Sequence, residues 1–235
     1  MSDPRKPVFD AVRSISPSSV FNKPDNINAL HNLLDAFGAA RESNESKQMK
    51  DAGVFYAGLR KVTGPLNEIQ VKIIEAVLKS ASHWTIGELA YGLATAWHEC
   101  RLMPIEEIGK GKGKAYGVPG KYAQAPYGRG LVQLTWDVNY EWADKICSDA
   151  GLIPKGAILK DFSLVMRPDI ATMILIKGME TGAFTGKRVG DYVGELGTVE
   201  GFRQARRVIN GMDRAGDIAS YAMTIQQGII AGGWV

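Results

Sequence analysis

Apolar positions along this chain recur mostly at helical spacing. Ile27, Leu30, Leu33, Leu34 and Phe37 mark one amphipathic helix, announced by Asp25 and followed by a polar run over 41–47 that reads as a linker. A similar unit follows at 55–80. FDAVR at 9–13 echoes YAGLR at 56–60, and Phe21-Asn22 echoes Leu66-Asn67. With one gap, Ile27, Ala29, Leu30, Leu33 and Leu34 fall against Val71, Ile73, Ile74, Val77 and Leu78. An internal duplication accounts for this, and so do two helices sharing a common period.

From Thr85 a central helix is predicted, with Ile86, Leu89, Ala90, Leu93, Ala94 and Trp97 at core spacing and Glu88, Thr95 and Glu99 in a narrow arc on another side. Pro104 is expected to end or kink it. The glycine-rich stretch 109–130 can hold little regular structure. In LVQLTW at 131–136 the apolar Val132, Leu134 and Trp136 alternate with Gln133 and Thr135, which predicts a strand with one polar face. Asp137 reads as the N-cap of a helix over 138–149. Pro168 is placed to start a buried helix through Ile170, Met173, Ile174 and Ile176, with Gly182 as its stop. A helix over 202–209 should end at Asn210-Gly211 as a left-handed terminator, and a last one covers 215–230. The fold class is mainly α with a short β element near the middle.

Composition narrows the setting. At 235 residues, 45% hydrophobic and 23% charged, the chain is an ordinary soluble globular protein with room for a good core. A net charge of +3 and a pI near 8.8 favour an anionic partner such as cell-wall polymer, nucleic acid or membrane surface without choosing among them. Cys100 and Cys147 are too few for a disulfide framework and are expected as buried free thiols. The start, MSDPRKPVFDAVRS, has no apolar signal core, and no run approaches the ~20 residues of a membrane span. Synthesis and retention in the cytoplasm are the expectation.

Glu99 lies at the carboxyl end of an apolar helix, where the dipole is negative and polar neighbours are few. Both effects disfavour ionisation and suit a general acid. Glu107 follows eight positions later, past Pro104, so it can approach from across a cleft; Glu106 competes with it and spacing does not separate them. Inverting glycosidases hold two carboxyl groups about 6.5 to 9.5 Å apart with a water between base and sugar. Gln133, Thr135 and Asn139 offer the amides and hydroxyl that a sugar or its attacking water needs. Other chemistry is poorly supplied. His98-Glu99 begins like a zinc-protease signature, but position 102 is Leu and the remaining histidines are His31 and His83, so no metal site is predicted. GKGKGK at 109–114 is followed by Ala115 where a phosphate loop needs Ser or Thr, and reads as a mobile basic lip. Cys100 and His98 are too close in sequence to face each other on a helix.

AWHEC, PIEEIGKGKG, YGRGLVQLTWDVNY and the late ARRVINGMDRA together resemble the family 19 glycoside hydrolases, the chitinase-like group that includes many bacteriophage endolysins. The resemblance spans about 55–221. It implies a lysozyme-like, two-lobed, mostly helical fold with a short β element beside an active-site cleft, working by inversion with no cofactor and no metal. It makes Glu99 the general acid, Glu107 the base and Thr135 the water-positioning hydroxyl. Gln133, Asn139, Asn210 and His98 become substrate-binding, with Tyr127 and Arg129 in the segment that shapes the cleft. Plant-type members have a longer segment between the acids, several disulfides and a secretion signal; the shorter form resembles the endolysin branch, whose substrate is peptidoglycan. On this reading 1–50 form a small helical module or extension and 51–235 the catalytic domain. The resemblance implies a monomeric, muramidase-type enzyme held in the host cytoplasm until release onto the wall, with no nucleic-acid partner and no stable membrane association. Chitin oligomers are the alternative substrate, and a wall-binding protein that does not cleave is the non-enzymatic rival.

Overall fold

The computed structural model describes residues 6–17, 26, 29, 30, 32–34 and 46–235. It is mainly helical. α1 covers Lys6–Ile15, α2 Ala52–Thr63, α3 Glu68–Ser80, α4 Ile86–Cys100, α5 Asp137–Asp149, α6 Ala157–Lys160, α7 Pro168–Thr181, α8 Val199–Ala205 and α9 Ala215–Gly232. Of the helix expected over 27–37, residues 29, 30 and 32–34 are helical; Ile27, Phe37, most of the expected linker and the Phe21-Asn22 echo lie outside the described residues.

Local signals set most of these boundaries. Thr85 and Glu88 form a reciprocal capping box at the start of α4, and Asn67 and Gln70 form one at the start of α3. Pro168 opens α7 and Gly182 closes it in a left-handed conformation. α4 is buried from Leu89 through Ala96, as a helix apolar on nearly all sides must be. Its end comes before Pro104: Arg101 and Leu102 turn left-handed (φ 55° and 56°), and the Leu102 N–H closes onto the Ala96 carbonyl at 3.1 Å. Gln70, itself buried, donates to the Arg101 carbonyl at 2.8 Å and pins that turn.

The helices pack in two groups around one apolar core. α9 lies against α2, α4 and α8, while α7 lies against α3 and α5, with α6 beside α5. The chain near residue 48 is tied to the C-terminus: Gln48 N–H donates to the Val235 carbonyl at 2.8 Å, and Asp51 N–H to that of Gly232 at 2.9 Å. Trp84 joins the groups, its carbonyl accepting from Trp234 Nε1 and Lys47 Nζ, each at 3.1 Å, and its indole donating to Glu180 at 2.8 Å.

Three expectations are corrected. LVQLTW is not a strand. The sheet consists of β1, Ile105–Glu106, antiparallel to β2, Arg129–Gly130, and 131–133 form a tight turn whose return, Leu134, bridges back to Arg129. Alternation fails there because Leu131, Val132 and Leu134 are all buried while Trp136 is 47% exposed. Asp137 is not an N-cap. Trp136 occupies that position, and the Asp137 carboxylate instead accepts from the Lys121 N–H at 2.9 Å, within α5's first turn. Asn210-Gly211 is not a left-handed terminator either: α8 tightens into a 3₁₀ turn over Arg206–Val208, and the next left-handed residue is Arg214.

Candidate active site

The register of the small sheet decides how the neighbouring acids divide. Glu106 pairs with Arg129 across the ladder, and side chains on consecutive residues point to opposite faces. Glu106 therefore meets Arg129 (3.4 Å), the Tyr127 hydroxyl (2.6 Å) and Lys110 Nζ (3.0 Å). Hydrogen bonds from Tyr127 and Lys110 hold its carboxyl below the ordinary value despite partial burial. Arg129 is 6% exposed, stacks 3.5 Å over the Tyr127 ring, and donates to the Ala125 and Tyr127 carbonyls and the Tyr140 hydroxyl. Tyr127 and Arg129 thus form a buried cation–aromatic pair that meets the partly exposed Glu106 carboxylate.

Glu107 faces the other way. Its backbone N–H donates to the Gly128 carbonyl at 2.7 Å, its Oε2 accepts from Gly128 N–H at 3.1 Å, and its Oε1 accepts from the Tyr116 hydroxyl at 3.2 Å. Gln133 sits beside it. A Cβ on Gly128 would lie 2.9 Å from Gln133 Oε1 and 3.3 Å from Glu107 Cβ, so only glycine lets these two side chains close over that position. Gln133 itself is left-handed (φ 53°), and its amide donates to the Ile105 and Gly130 carbonyls at 3.1 and 3.3 Å, fastening the turn to both strands. The amide carbonyl makes no hydrogen bond among the described residues and faces the Glu107 side.

Thr135 is half-buried, and its carbonyl accepts from Asn139 Nδ2 at 2.8 Å. Its hydroxyl has no hydrogen bond among the described residues. The α4 end reaches this turn through Cys100, whose thiol lies 3.5 Å from the Leu131 carbonyl. Burial pushes the thiols of Cys100 and Cys147 up to about 12, and both cysteines are free.

Glu99, one residue before Cys100, is not poor in polar neighbours as its sequence context implied: a buried guanidinium lies against it. Arg206 Nη1 lies 2.5 Å from its Oε1, and Arg206, 3% exposed, also donates through Nε to the Asp213 carbonyl at 3.1 Å. This arginine was not singled out in the sequence: it lies in the ARRVINGMDRA motif, where nothing local separates it from Arg207 and Arg214. Glu88 and Thr95, which share its arc in sequence, do not reach the site: Glu88 caps its own helix and Thr95 is fully buried. His98 is partly buried beside the Tyr221 ring (6.4 Å between centroids), and burial holds its imidazole below its ordinary value. Asn210 is exposed, with its side chain turned back onto the Gly211 N–H at 2.8 Å. The structure thus brings Glu107, Gln133 and Gly128 together, places Thr135 with Asn139, and anchors Glu99 on Arg206. Among the described residues the two acids share no hydrogen-bond partner. A groove of about 660 Å³ between α2 and α9, lined by Val54, Gly58, Lys61, Met223 and Gln227, contains none of these groups.

A mainly helical body in two packing groups with a small two-stranded sheet is the two-lobed, lysozyme-like class of fold. Among solved structures, the fold is shared with chitinase C from Streptomyces griseus HUT6037. The likeness covers 77% of this chain and 78% of that one, at 22% sequence identity and a TM-score of 0.51. No family model and no curated protein matches this sequence.

Proposed function

We propose that this protein is a glycoside hydrolase that cleaves the amino-sugar backbone of peptidoglycan with inversion. Glu99 protonates the glycosidic oxygen, Glu107 takes a proton from a water on the opposite face of the sugar, and the Thr135 hydroxyl orients that water. Gln133 and Asn139 present amides to the sugar substituents. His98 and Asn210 contribute to substrate binding on this reading, and the Tyr127–Arg129–Glu106 cluster keeps the Glu107 loop in place.

One observation carries the reading. The two carboxylates named by the sequence resemblance stand on separate elements, a helix end and the residue after a strand, each oriented by its own donors. Acid and base of an inverting pair act on opposite faces of the sugar ring with a water between, and carboxyl groups carried on separate elements suit that division. The mild positive charge favours the anionic wall. Chitin is the second reading, and the fold shared with a chitinase favours it.

The test is digestion of purified peptidoglycan and of chitin hexamer by wild type and Glu99→Gln, with new reducing ends identified by mass spectrometry and the product anomer by NMR. Wild-type release of muropeptides in the inverted configuration supports the wall reading. Cleavage of the chitin hexamer alone selects the second reading, and binding without cleavage of either polymer would overturn hydrolysis.

A further inference from the structure

Trp136 carries two costs that the fold does not require. Its backbone is left-handed (φ 71°), a conformation that a bulky side chain rarely adopts, and its indole is 47% exposed. The strain is held by its surroundings: the Trp136 N–H donates to the Pro126 carbonyl at 2.9 Å, and its own carbonyl accepts the first N–H groups of α5. A glycine would serve this N-cap without strain and without an exposed ring. Strain that is maintained by its neighbours and presents a side chain to solvent points to use of that side chain.

Its position says what the use is. The Tyr116 ring meets the indole edge-on, with centroids 5.3 Å apart and planes at 82°, and the Tyr116 hydroxyl is the donor to Glu107 Oε1. Thr135 is the preceding residue. Val118, Val138 and Ile108, two residues from Tyr116, two from Trp136 and next to Glu107 in sequence, are 60%, 65% and 97% exposed. Tyr116 reaches Glu107 from a loop jointed by Gly109, Gly111 and Gly113, all with positive φ. The flat C–H face of a pyranose ring is apolar while its edge is polar, and an exposed indole beside hydrogen-bonding groups matches both.

We propose that Trp136 is a sugar-binding platform on the Glu107 side of the site, stacking on a pyranose ring of the substrate glycan, and that Tyr116, packed against it, is a positioning residue that holds Glu107 toward the water. This deepens the function proposed above and rests on it for the identity of the polymer.

The experiment measures binding apart from turnover. Peptidoglycan pull-down and chitin-hexamer titration calorimetry are run in the Glu99→Gln background, with Trp136 intact, Trp136→Phe, Trp136→Ala and Trp136→Gly. Steady-state kinetics are run on the same position in the active enzyme. Trp136→Ala is expected to weaken binding and raise KM about 10-fold, the usual scale for a lost aromatic anchor, with the loss falling on KM more than on kcat. Trp136→Phe should recover most of it. Trp136→Gly, which relieves the backbone, should be at least as thermostable as wild type yet bind as poorly as Trp136→Ala, a combination that a purely structural tryptophan would not give. Tyr116→Phe should lower kcat with little change in KM. Unchanged affinity and KM in a folded Trp136→Ala protein would overturn the platform while leaving hydrolysis intact. A protein that binds glycan through Trp136 but never cleaves it would uphold the platform and remove the hydrolase reading, and binding to neither polymer would end both.

Discussion

Arg206 and Glu99, 107 residues apart in sequence, meet with Nη1 2.5 Å from Oε1, the guanidinium almost wholly buried and the carboxyl 18% exposed. Removing one member of such a pair leaves an uncompensated charge, which typically costs about 3–5 kcal/mol. Arg206→Ala is therefore expected to lower Tm by roughly 6–12 °C, taking about 3 kcal/mol and the usual scaling for a chain of this size. It should also lower activity, because Glu99 loses the group that fixes its rotamer. Scanning calorimetry with turnover of peptidoglycan or chitin hexamer checks both. A Tm within 2 °C of wild type would mean that the pair is not formed in solution.

Neighbouring glutamates should fail in different ways. Glu107→Gln is expected to reduce turnover at least ~100-fold, the lower range for general base catalysis, with little change in Tm. Glu106→Gln weakens the cluster with Arg129, Tyr127 and Lys110, and should lower Tm while keeping a substantial part of the activity. The reverse pattern would exchange their roles.

Gly128→Ala tests the packing between Glu107 and Gln133. The new methyl would meet Gln133 Oε1 at 2.9 Å and must displace one or both side chains. We expect about 1–3 kcal/mol of destabilisation, as for other overpacked sites, together with a loss of turnover out of proportion to it. Urea unfolding beside the kinetic assay separates the two effects.

Stability in acid should depend on Glu180, far from the site. Burial alone would raise its pKa, but hydrogen bonds from His83, Lys177 and Trp84 outweigh it and lower the carboxyl from 4.5 to about 2. A depressed folded-state pKa gives stability that is fully present above the unfolded value and is lost as pH falls through the folded one. The window is therefore from about 5 down to about 2, and the contribution at neutral pH is on the order of 3 kcal/mol. Tm measured against pH for wild type and Glu180→Gln should differ at pH 7 and converge by about pH 2; parallel curves would remove Glu180 from the account.

The two thiols, both buried and pushed up to about 12, should resist iodoacetamide at pH 8 in the native protein and react in 6 M guanidinium. Rapid native alkylation of either would show that its surroundings open.

The sequence by itself determined the helices whose signals are local. α4 was legible because apolar residues recur along it from Thr85, and α7 because Pro168 and Gly182 bracket it. Buried thiols followed from the cysteine count and were found. The polar positions of LVQLTW were also visible, but not their backbone. That alternation was read as a strand, whereas Gln133 turns left-handed because its amide can then bond Ile105 and Gly130, one of them 28 residues away. Which of Glu106 and Glu107 serves as the base was open in sequence spacing; the Glu106–Arg129 register puts Glu106 in an ion pair and turns Glu107 to the other face. Arg206, Tyr116 and Trp136 were missed for the same reason. Helical periodicity, caps and breakers act within a few residues, so one chain displays them; ion pairs, strand register and the strain at Trp136 depend on segments brought together only by packing, and tertiary structure alone decided them.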